Sequence, residues 1–328
     1  MDLMKNYNKV KYNNSMQRPH MVSWDITNKC NMRCRHCYNS SGDTSKHNFS
    51  NELSREKVLD IAHQIADMHP TQCCLCGGET LLNENIYDII KIISNSNVAV
   101  NIVSNGLLLN KNVAKRLKDS GVFKVQISVD GLGYQHDIFR NMQGSFKKAI
   151  NALMCLMEED IGTMVSCCPN KLNYKTFENY VKYITSLGCS TIRMMPLIPM
   201  GRGNQFCNDL LLSNMETFDF VYRLSALKEE YPMVNFEWGD PLEHLFIVLL
   251  SKRKYPIVMN ISSIGDLTIT PYIPIVVGNI DNMRLIDYWK LGYNRIWGNK
   301  DVLTTIRKVK SIYDLSAFEQ DSIRIEMI

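Results

Sequence analysis

Three closely spaced cysteines are the residues of this sequence best suited to chemistry. Cys30, Cys34 and Cys37 follow the spacing C-x3-C-x2-C, and three thiolates so close together can hold one face of an iron–sulfur cube. Because a [4Fe–4S] cluster normally takes four cysteine thiolates, one of its irons would lack a protein ligand. A metal with an open position is available to a substrate or cofactor, as in catalytic zinc sites. The spacing therefore predicts chemistry at a metal.

The same cysteines have two simpler interpretations. His36 lies directly before the third cysteine, and it would complete a structural zinc site, because cysteine and histidine are the usual ligands of structural zinc. Alternatively, the thiols are buried in the core as small apolar side chains. Motifs further along the chain are needed to choose between these interpretations.

A glycine pair ends the second predicted strand. The short apolar run at 72–75 is typical of a buried strand, and it leads into Gly77, Gly78 and Glu79. Two adjacent glycines let a backbone approach a ligand closely. An ordinary strand-to-helix turn is the alternative, since short glycine motifs are weak evidence when they stand alone.

Polar residues and turn formers also end the third and fourth predicted strands, at 98–103 and 124–129. The polar side chains concerned are Ser104, Asn105, Ser128 and, further downstream, Arg140. The alternative for Arg140 is a solvated charge on a helix face. A sixth predicted strand, 191–195, ends in Met195 and leads into the sequence P-x-x-P-x-G-R. Met195 is a core residue if its side chain faces away from the interior.

These motifs, in this order, resemble the radical S-adenosylmethionine (SAM) superfamily. In that family the open iron is chelated by the amino and carboxylate groups of SAM. An electron from the reduced cluster cleaves the sulfonium to give a 5'-deoxyadenosyl radical, which abstracts a hydrogen atom from the substrate. The resemblance implies that Cys30, Cys34 and Cys37 bind one [4Fe–4S] cluster. It implies a SAM site formed by His36, Gly77, Gly78, Glu79, Ser104, Asn105, Ser128, Arg140 and Met195.

The resemblance also implies roles for some of these residues. The glycine loop would receive the amino group of SAM, with the Glu79 carboxylate suited to an ammonium. Ser128 and Arg140 would lie near the SAM carboxylate, a planar anion that a guanidinium matches well. The backbone of the P-x-x-P-x-G-R segment would lie against the adenine.

Strand-like and helix-like runs alternate from about Met21 to Gly203, which favours a parallel sheet with crossover helices. Helices are predicted at 53–68, 86–93, 113–120, 145–158 and 176–187. Six strand–helix units are too few for a closed eight-unit barrel. The resemblance implies an α/β fold, a partial (β/α)6 TIM-type barrel with a C-terminal α+β extension. We expect a flexible segment at 1–19, the barrel at 20–212 and the extension at 213–328.

The extension resembles the SPASM or twitch region of peptide-modifying radical SAM enzymes, in which a β-hairpin precedes a G-N-I segment. Members of that branch hold auxiliary clusters with cysteines here. None of the 11 cysteines lies beyond Cys207, and Tyr272 stands at a cysteine position of the motif. We therefore expect the hairpin without an auxiliary cluster, and Pro271 and Tyr272 in a turn packed by neighbouring side chains.

Three other cysteines lie at the ends of predicted strands, near the place where the radical would form. Cys76, Cys167 and Cys168 are candidate hydrogen donors to a substrate radical. No other residue is a candidate for a catalytic role at this stage. The remaining cysteines are expected to be small buried side chains.

Composition limits the function classes. With 45% hydrophobic and 21% charged residues the chain is typical of a soluble globular protein, and the apolar run at 245–250 is too short to span a bilayer. A net charge of +4 does not by itself indicate nucleic-acid binding. Unpaired cysteines beside an iron–sulfur motif fit the reducing cytoplasm. The expected partners are a substrate and an electron donor such as flavodoxin or ferredoxin, without nucleic acid or membrane.

Three functional hypotheses follow. The first is a radical SAM enzyme that modifies a ribosomally synthesised peptide by cross-linking, epimerisation or another C–H modification, by analogy with the extension. The second is a radical SAM enzyme that acts on a small molecule or cofactor precursor such as a tetrapyrrole. The third is a non-enzymatic metal-binding protein, which would leave the strand-end motifs without a role.

Overall fold

The computed structural model describes residues 17–250, 256–318 and 322–325. Its strands are β1 (Met21–Thr27), β2 (Gln72–Gly77), β3 (Ala99–Ser104), β4 (Lys124–Ser128), β5 (Gly162–Cys167), β6 (Thr191–Met194), β7 (Asn235–Trp238), β8 (Val258–Ile261), β9 (Asp266–Thr268), β10 (Ile275–Asn279) and β11 (Ile323–Arg324). Its α-helices are α1 (Arg55–Met68), α2 (Ile86–Ser94), α3 (Lys111–Asp119), α4 (Tyr134–Arg140), α5 (Ser145–Glu158), α6 (Phe177–Ser186), α7 (Arg202–Leu210), α8 (Asn214–Glu230), α9 (Pro241–Leu250), α10 (Leu285–Leu291) and α11 (Lys300–Ile306).

All the strands belong to one sheet, in the order β11-β10-β9-β8-β1-β2-β3-β4-β5-β6-β7. Strands β1 to β7 are parallel and follow one another in chain order. Right-handed crossovers then place the intervening helices on one face, so the sheet curves into part of a barrel. The sheet is not closed, since β7 and β11 are its two edges. This confirms the predicted partial TIM-type barrel.

The sheet extends further than the six predicted strands. Strand β7 adds a seventh parallel strand beside β6, and β8 pairs in parallel with the other side of β1, with Met21 opposite Val258. Both lie in the region expected to form the extension. Each spans four residues, which give little alternation, and neither is followed by a motif like the one after β6, so neither was predicted.

The two faces of the barrel sheet differ in polarity. On the helix side, Val22 and Trp24 of β1 are fully buried and belong to the main apolar core, which includes Ile61 of α1. The opposite face carries Ser23 and Asp25, both half-buried. Because side chains alternate along a strand, each strand supplies the core on one side and a polar barrel interior on the other.

The predicted helices are confirmed to within two residues at each end. Helix α1 begins after Ser54, whose hydroxyl accepts a hydrogen bond from the Lys57 amide at 3.4 Å, as expected for an N-cap. Helix α4, only seven residues long, was not predicted. Among the helices in the described ranges, none is long and apolar enough to cross a membrane.

The predicted hairpin is present. Strands β9 and β10 are antiparallel, with Thr268 opposite Val276, and residues 271–273 form the bend between them. Tyr272 is buried in this bend, and its ring meets the edge of the His244 ring with centroids 5.7 Å apart. The predicted packed turn is therefore confirmed. The Tyr272 hydroxyl has no hydrogen-bond partner within the described ranges, so the contribution of the ring comes from apolar packing.

A buried tyrosine ties this hairpin to the barrel. The Tyr293 hydroxyl donates to the Thr268 carbonyl at 2.6 Å and accepts from the Asn260 amide at 3.1 Å. It thereby joins β9 to β8, the strand that pairs with β1. Burial raises its pKa, which keeps the donor proton in place.

We expect Tyr293→Phe to lower the free energy of unfolding by about 1–3 kcal/mol, because it leaves buried backbone groups without partners. Urea unfolding followed by circular dichroism measures this loss. Tyr313→Phe is the matched control, since Tyr313 is exposed and its hydroxyl makes no hydrogen bond with a described residue. Equal stability of the two variants would contradict the role of Tyr293.

Candidate cofactor-binding site

The three cysteines lie in a loop that follows β1, which we call the cysteine loop (residues 28–47). The loop is closed on itself by the Gly42 amide, which donates to the Asn28 carbonyl at 2.7 Å. Arg202, the first residue of α7, holds it from outside: its side chain donates to the carbonyls of Cys34 at 3.0 Å and Ser41 at 3.2 Å. Many of the backbone groups of this irregular loop are thus satisfied by the protein.

Cys34 is buried, and Cys30 and Cys37 are half-buried; all three are free thiols. Burial raises the pKa of Cys34 to about 11, although the nearby Arg140 opposes this effect. The Ser41 amide donates to the Cys37 sulfur at 3.3 Å. These are donor groups suited to an iron–sulfur cluster.

No three His, Cys, Asp or Glu side chains in the described ranges are grouped as ligands of one metal ion. This arrangement is compatible with a cluster, because each cysteine of a cluster binds a different iron and the three sulfurs need not surround one ion.

His36 packs the cysteine loop against α4. Its ring stacks on Phe139 with centroids 4.0 Å apart and an interplanar angle of 1°. The Arg35 amide donates to the Phe139 carbonyl at 3.1 Å. Burial, reinforced by Arg140, lowers the pKa of His36 to about 3, which leaves the imidazole neutral. Helix α4 is therefore the platform for the loop, and no sequence pattern indicated it.

Gly77 and Gly78 allow a close approach, but to the protein itself. A Cβ atom on Gly77 would overlap the Thr27 carbonyl oxygen, and one on Gly78 would overlap the Lys29 carbonyl oxygen. The Gly78 amide donates to the Thr27 carbonyl at 2.7 Å, and the Glu79 amide donates to the Lys29 carbonyl at 2.9 Å. The glycines thus seat the end of β2 on the start of the cysteine loop, and their predicted approach to SAM stays a prediction.

Glu79 is fully buried and joins two strand ends. Its carboxylate accepts hydrogen bonds from the Ser104 hydroxyl and the Asn105 amide, both at 2.8 Å. Burial raises the pKa of Glu79 despite these bonds. The Asn105 side chain in turn donates to Asn31 at 2.8 Å, so the network reaches the cysteine loop. Glu79, Ser104 and Asn105 thus lie together at the strand ends, and their predicted role in binding SAM stays a prediction.

Arg140 is buried, which excludes a solvated helix-face charge. Its Nε donates to Asp130 Oδ2 at 2.6 Å, and its Nη1 lies 3.9 Å from the Cys34 sulfur. Burial acts to raise the pKa of Asp130, but the charge of Arg140 and further contacts hold it below its usual value. Asp130 was missed as a site residue, although it is the acidic residue that ends the fourth predicted strand.

Ser128 and Met195 lie on the barrel interior. The Ser128 hydroxyl has no hydrogen-bond partner within the described part of the chain, and Ser128 pairs with Ser166 of β5. Met195 is half-buried, and its amide donates to the Cys167 carbonyl at 3.1 Å. Both residues are therefore available to a ligand that enters the barrel.

The sequence profile of the radical SAM superfamily matches residues 24–184, from β1 to α6. Residues 24–184 therefore form a radical SAM domain. Members of this enzyme superfamily bind a [4Fe–4S] cluster and SAM. This fits the three free thiols beside a barrel interior in which the Ser128 hydroxyl has no partner among the described residues.

Similar proteins fall into two groups. The "AdoMet-dependent heme synthase" of Methanosarcina barkeri is 25% identical over 188 residues, which are 57% of this chain and 53% of that protein. The "Sporulation killing factor maturation protein SkfB" of Bacillus subtilis is 29% identical over 224 residues, 68% of this chain and 52% of SkfB. The chain matches only about half the length of each of these curated relatives.

A solved structure supports the fold. Streptococcus suis SuiB bound to its precursor peptide SuiA superposes with a TM-score of 0.68 and 14% identity, covering 94% of this chain and 71% of SuiB. The similarity therefore extends beyond the radical SAM domain into the C-terminal region.

The radical SAM barrel separates the three candidate hydrogen donors. Cys76 lies on β2 opposite Asp25 of β1, on the polar interior, with its sulfur 3.5 Å from the Ser23 hydroxyl. Cys167 belongs to the apolar core on the helix side, and Cys168 is buried in a second apolar cluster. Only Cys76 among the three faces the space in which radical chemistry would take place.

The interior of this radical SAM domain holds further ionisable groups that sequence reasoning missed. Burial raises the pKa of Asp25, although a hydrogen bond with Cys76 opposes the shift. Tyr38, in the cysteine loop, lies near both and is partly exposed. The alternation of polar and apolar residues along β1 was the available signal for Asp25.

We expect Gly78→Ala to destabilise the fold by about 1–3 kcal/mol. The new Cβ atom would overlap the Lys29 carbonyl oxygen, and a backbone atom cannot move aside as a side chain can. Thermal unfolding of the metal-free protein measures this change. Lys29→Ala is the matched control: it keeps the Lys29 carbonyl that Gly78 approaches and removes only an exposed side chain. A Gly78→Ala protein as stable as Lys29→Ala would refute the packing role of Gly78.

Proposed function

We propose that this protein is a radical SAM enzyme in which Cys30, Cys34 and Cys37 hold one [4Fe–4S] cluster. The observation that carries the proposal is the arrangement of the free thiols in a loop held against the ends of β2 and β3. When bound, the cluster supplies the electron that cleaves SAM into methionine and a radical able to abstract hydrogen from a substrate. An electron donor such as flavodoxin or ferredoxin would reduce it.

The protein's own residues would orient SAM and shield the chemistry. The Ser128 hydroxyl, which has no described partner, is free to donate to a carboxylate. Glu79, Ser104 and Asn105 fix the strand ends that border the site. Cys76 and Asp25, on the same interior face, would meet the substrate. Cys76 is thus the preferred candidate among the three possible hydrogen donors.

A ribosomally synthesised peptide is the proposed substrate. SkfB, a maturation protein by name, matches 68% of this chain, whereas the M. barkeri heme synthase matches 57%. SuiB, which has the same fold, was solved with a precursor peptide. A sheet left open between its edges suits an extended chain that must enter from the side. The domain limits 20–212 and 213–328 remain part of this proposal, as does a cytoplasmic location.

A tetrapyrrole is the second candidate substrate. Heme synthases and an "Fe-coproporphyrin III synthase" of Methanosarcina barkeri, 28% identical over 195 residues, are also similar to this chain. A rigid planar tetrapyrrole would need a barrel interior of a different shape from one that holds a peptide. The two candidates are separated by the turnover experiment below.

We expect anaerobically reconstituted protein to bind about four irons and four sulfides per chain, and the triple Cys30, Cys34 and Cys37→Ala variant to bind almost none. Iron and sulfide analysis with visible absorbance measures both. Cys155→Ala is the control, since Cys155 is a buried thiol on the remote helix α5. A triple variant with a full cluster, a wild type that binds only zinc, or about eight irons per chain would contradict the proposal.

With dithionite, SAM and a candidate precursor peptide, we expect 5'-deoxyadenosine to form several-fold faster than without the peptide. Chromatography measures 5'-deoxyadenosine, and mass spectrometry measures the change in the peptide. Iron-coproporphyrin III is tested in parallel, and the triple cysteine variant is the control for both. If only iron-coproporphyrin III accelerates 5'-deoxyadenosine formation, the tetrapyrrole replaces the peptide as the proposed substrate.

A further inference from the structure

The side chains of three arginines hydrogen-bond the cysteine loop, and they do so differently. Arg33 donates to the carbonyls of Cys30 and Met32, each at 3.0 Å. Arg202 donates to the carbonyls of Cys34 and Ser41. Arg140 alone among the described arginines approaches a cysteine sulfur, that of Cys34, at 3.9 Å. The first two stabilise the path of the backbone, whereas the third places a positive charge at a thiol.

Burial makes this charge effective. Arg140 and Cys34 are 9% and 7% exposed, so little water screens the interaction between the guanidinium and the sulfur. A charge interaction is several times stronger in such surroundings than in water. Arg33, by contrast, is exposed, and its charge is largely screened by solvent.

The position of Arg140 is fixed from two sides. Asp130 accepts from Arg140 Nε at 2.6 Å through one oxygen, and its other oxygen accepts from the Cys168 amide at 2.7 Å. Arg140 is also the last residue of α4, the helix whose Phe139 carbonyl accepts from Arg35 of the cysteine loop. The guanidinium and the loop therefore share one anchor, and the distance to the sulfur is set by the fold.

Net charge and hydrogen bonds to the sulfurs are among the factors that set the reduction potential of an iron–sulfur cluster. We propose that Arg140, oriented by Asp130, is a positioning residue that raises the reduction potential of the cluster bound through Cys34. A positive charge beside a ligand sulfur stabilises the extra electron of the reduced state. The inference rests on the proposed role of Cys34 as a ligand.

The test is a potentiometric titration without SAM, in which the reduced cluster is followed by electron paramagnetic resonance. We expect Arg140→Met to shift the midpoint to more negative values by at least a tenfold change in the redox equilibrium, about 59 mV for one electron. Arg140→Lys, which keeps the charge, should restore most of the wild-type value. Arg116→Met is the matched control: it removes the same charge from an exposed side chain that stacks on Tyr87, and it should leave the potential of the bound cluster unchanged.

Each outcome decides the matter. An Arg140→Met midpoint equal to the wild type, or an equal shift in Arg116→Met, would overturn the inference. If Arg140→Met binds no iron, Arg140→Lys must bind the cluster at the wild-type potential. Loss of the cluster in both would show that the geometry of Arg140 matters and its charge does not, and would also overturn it. A wild type without a [4Fe–4S] cluster would instead refute the proposed function.

Discussion

The buried carboxylate of Glu79 is the interaction on which the site most depends. Removing a carboxylate from water costs several kcal/mol, and here the cost is offset by hydrogen bonds from Ser104 and Asn105 and from the Leu81 amide at 3.2 Å. Burial still raises its pKa. The contribution of Glu79 to the free energy of unfolding is therefore complete below the usual pKa of a glutamate. It is lost as the pH rises through the raised pKa. The ends of β2 and β3 cannot separate without breaking the hydrogen bonds from Ser104 and Asn105 to the Glu79 carboxyl group.

The cysteine loop is irregular because it is held by strand ends and helix termini and not by a sheet. Gly78 brings the end of β2 against Lys29, Asn105 reaches Asn31 from β3, and Phe139 of α4 supports His36. Each contact comes from a different strand–helix unit of the barrel. A cluster site of this kind thus needs several units to be in register before the loop has a defined shape.

Much of the fold could be predicted because its signals are local. The helix at 145–158 has regular apolar spacing, and both of its ends were predicted correctly from the sequence. Helix α4 spans only Tyr134–Arg140, too short for a period to show, and β8 spans four residues. The motifs identified which residues gather at the site, but not their partners. Arg140 meets Cys34, 106 residues earlier in the chain, and no spacing rule encodes that contact.

Aromatic packing holds the C-terminal hairpin. Tyr272 packs against His244, and the His244 ring meets Trp297 with centroids 6.1 Å apart. Aromatic rings of this size bury a large apolar area and prefer such edge-to-face contacts. They therefore stabilise the turn between β9 and β10. Because β8 pairs with β1, this aromatic packing also supports the strand from which the cysteine loop departs.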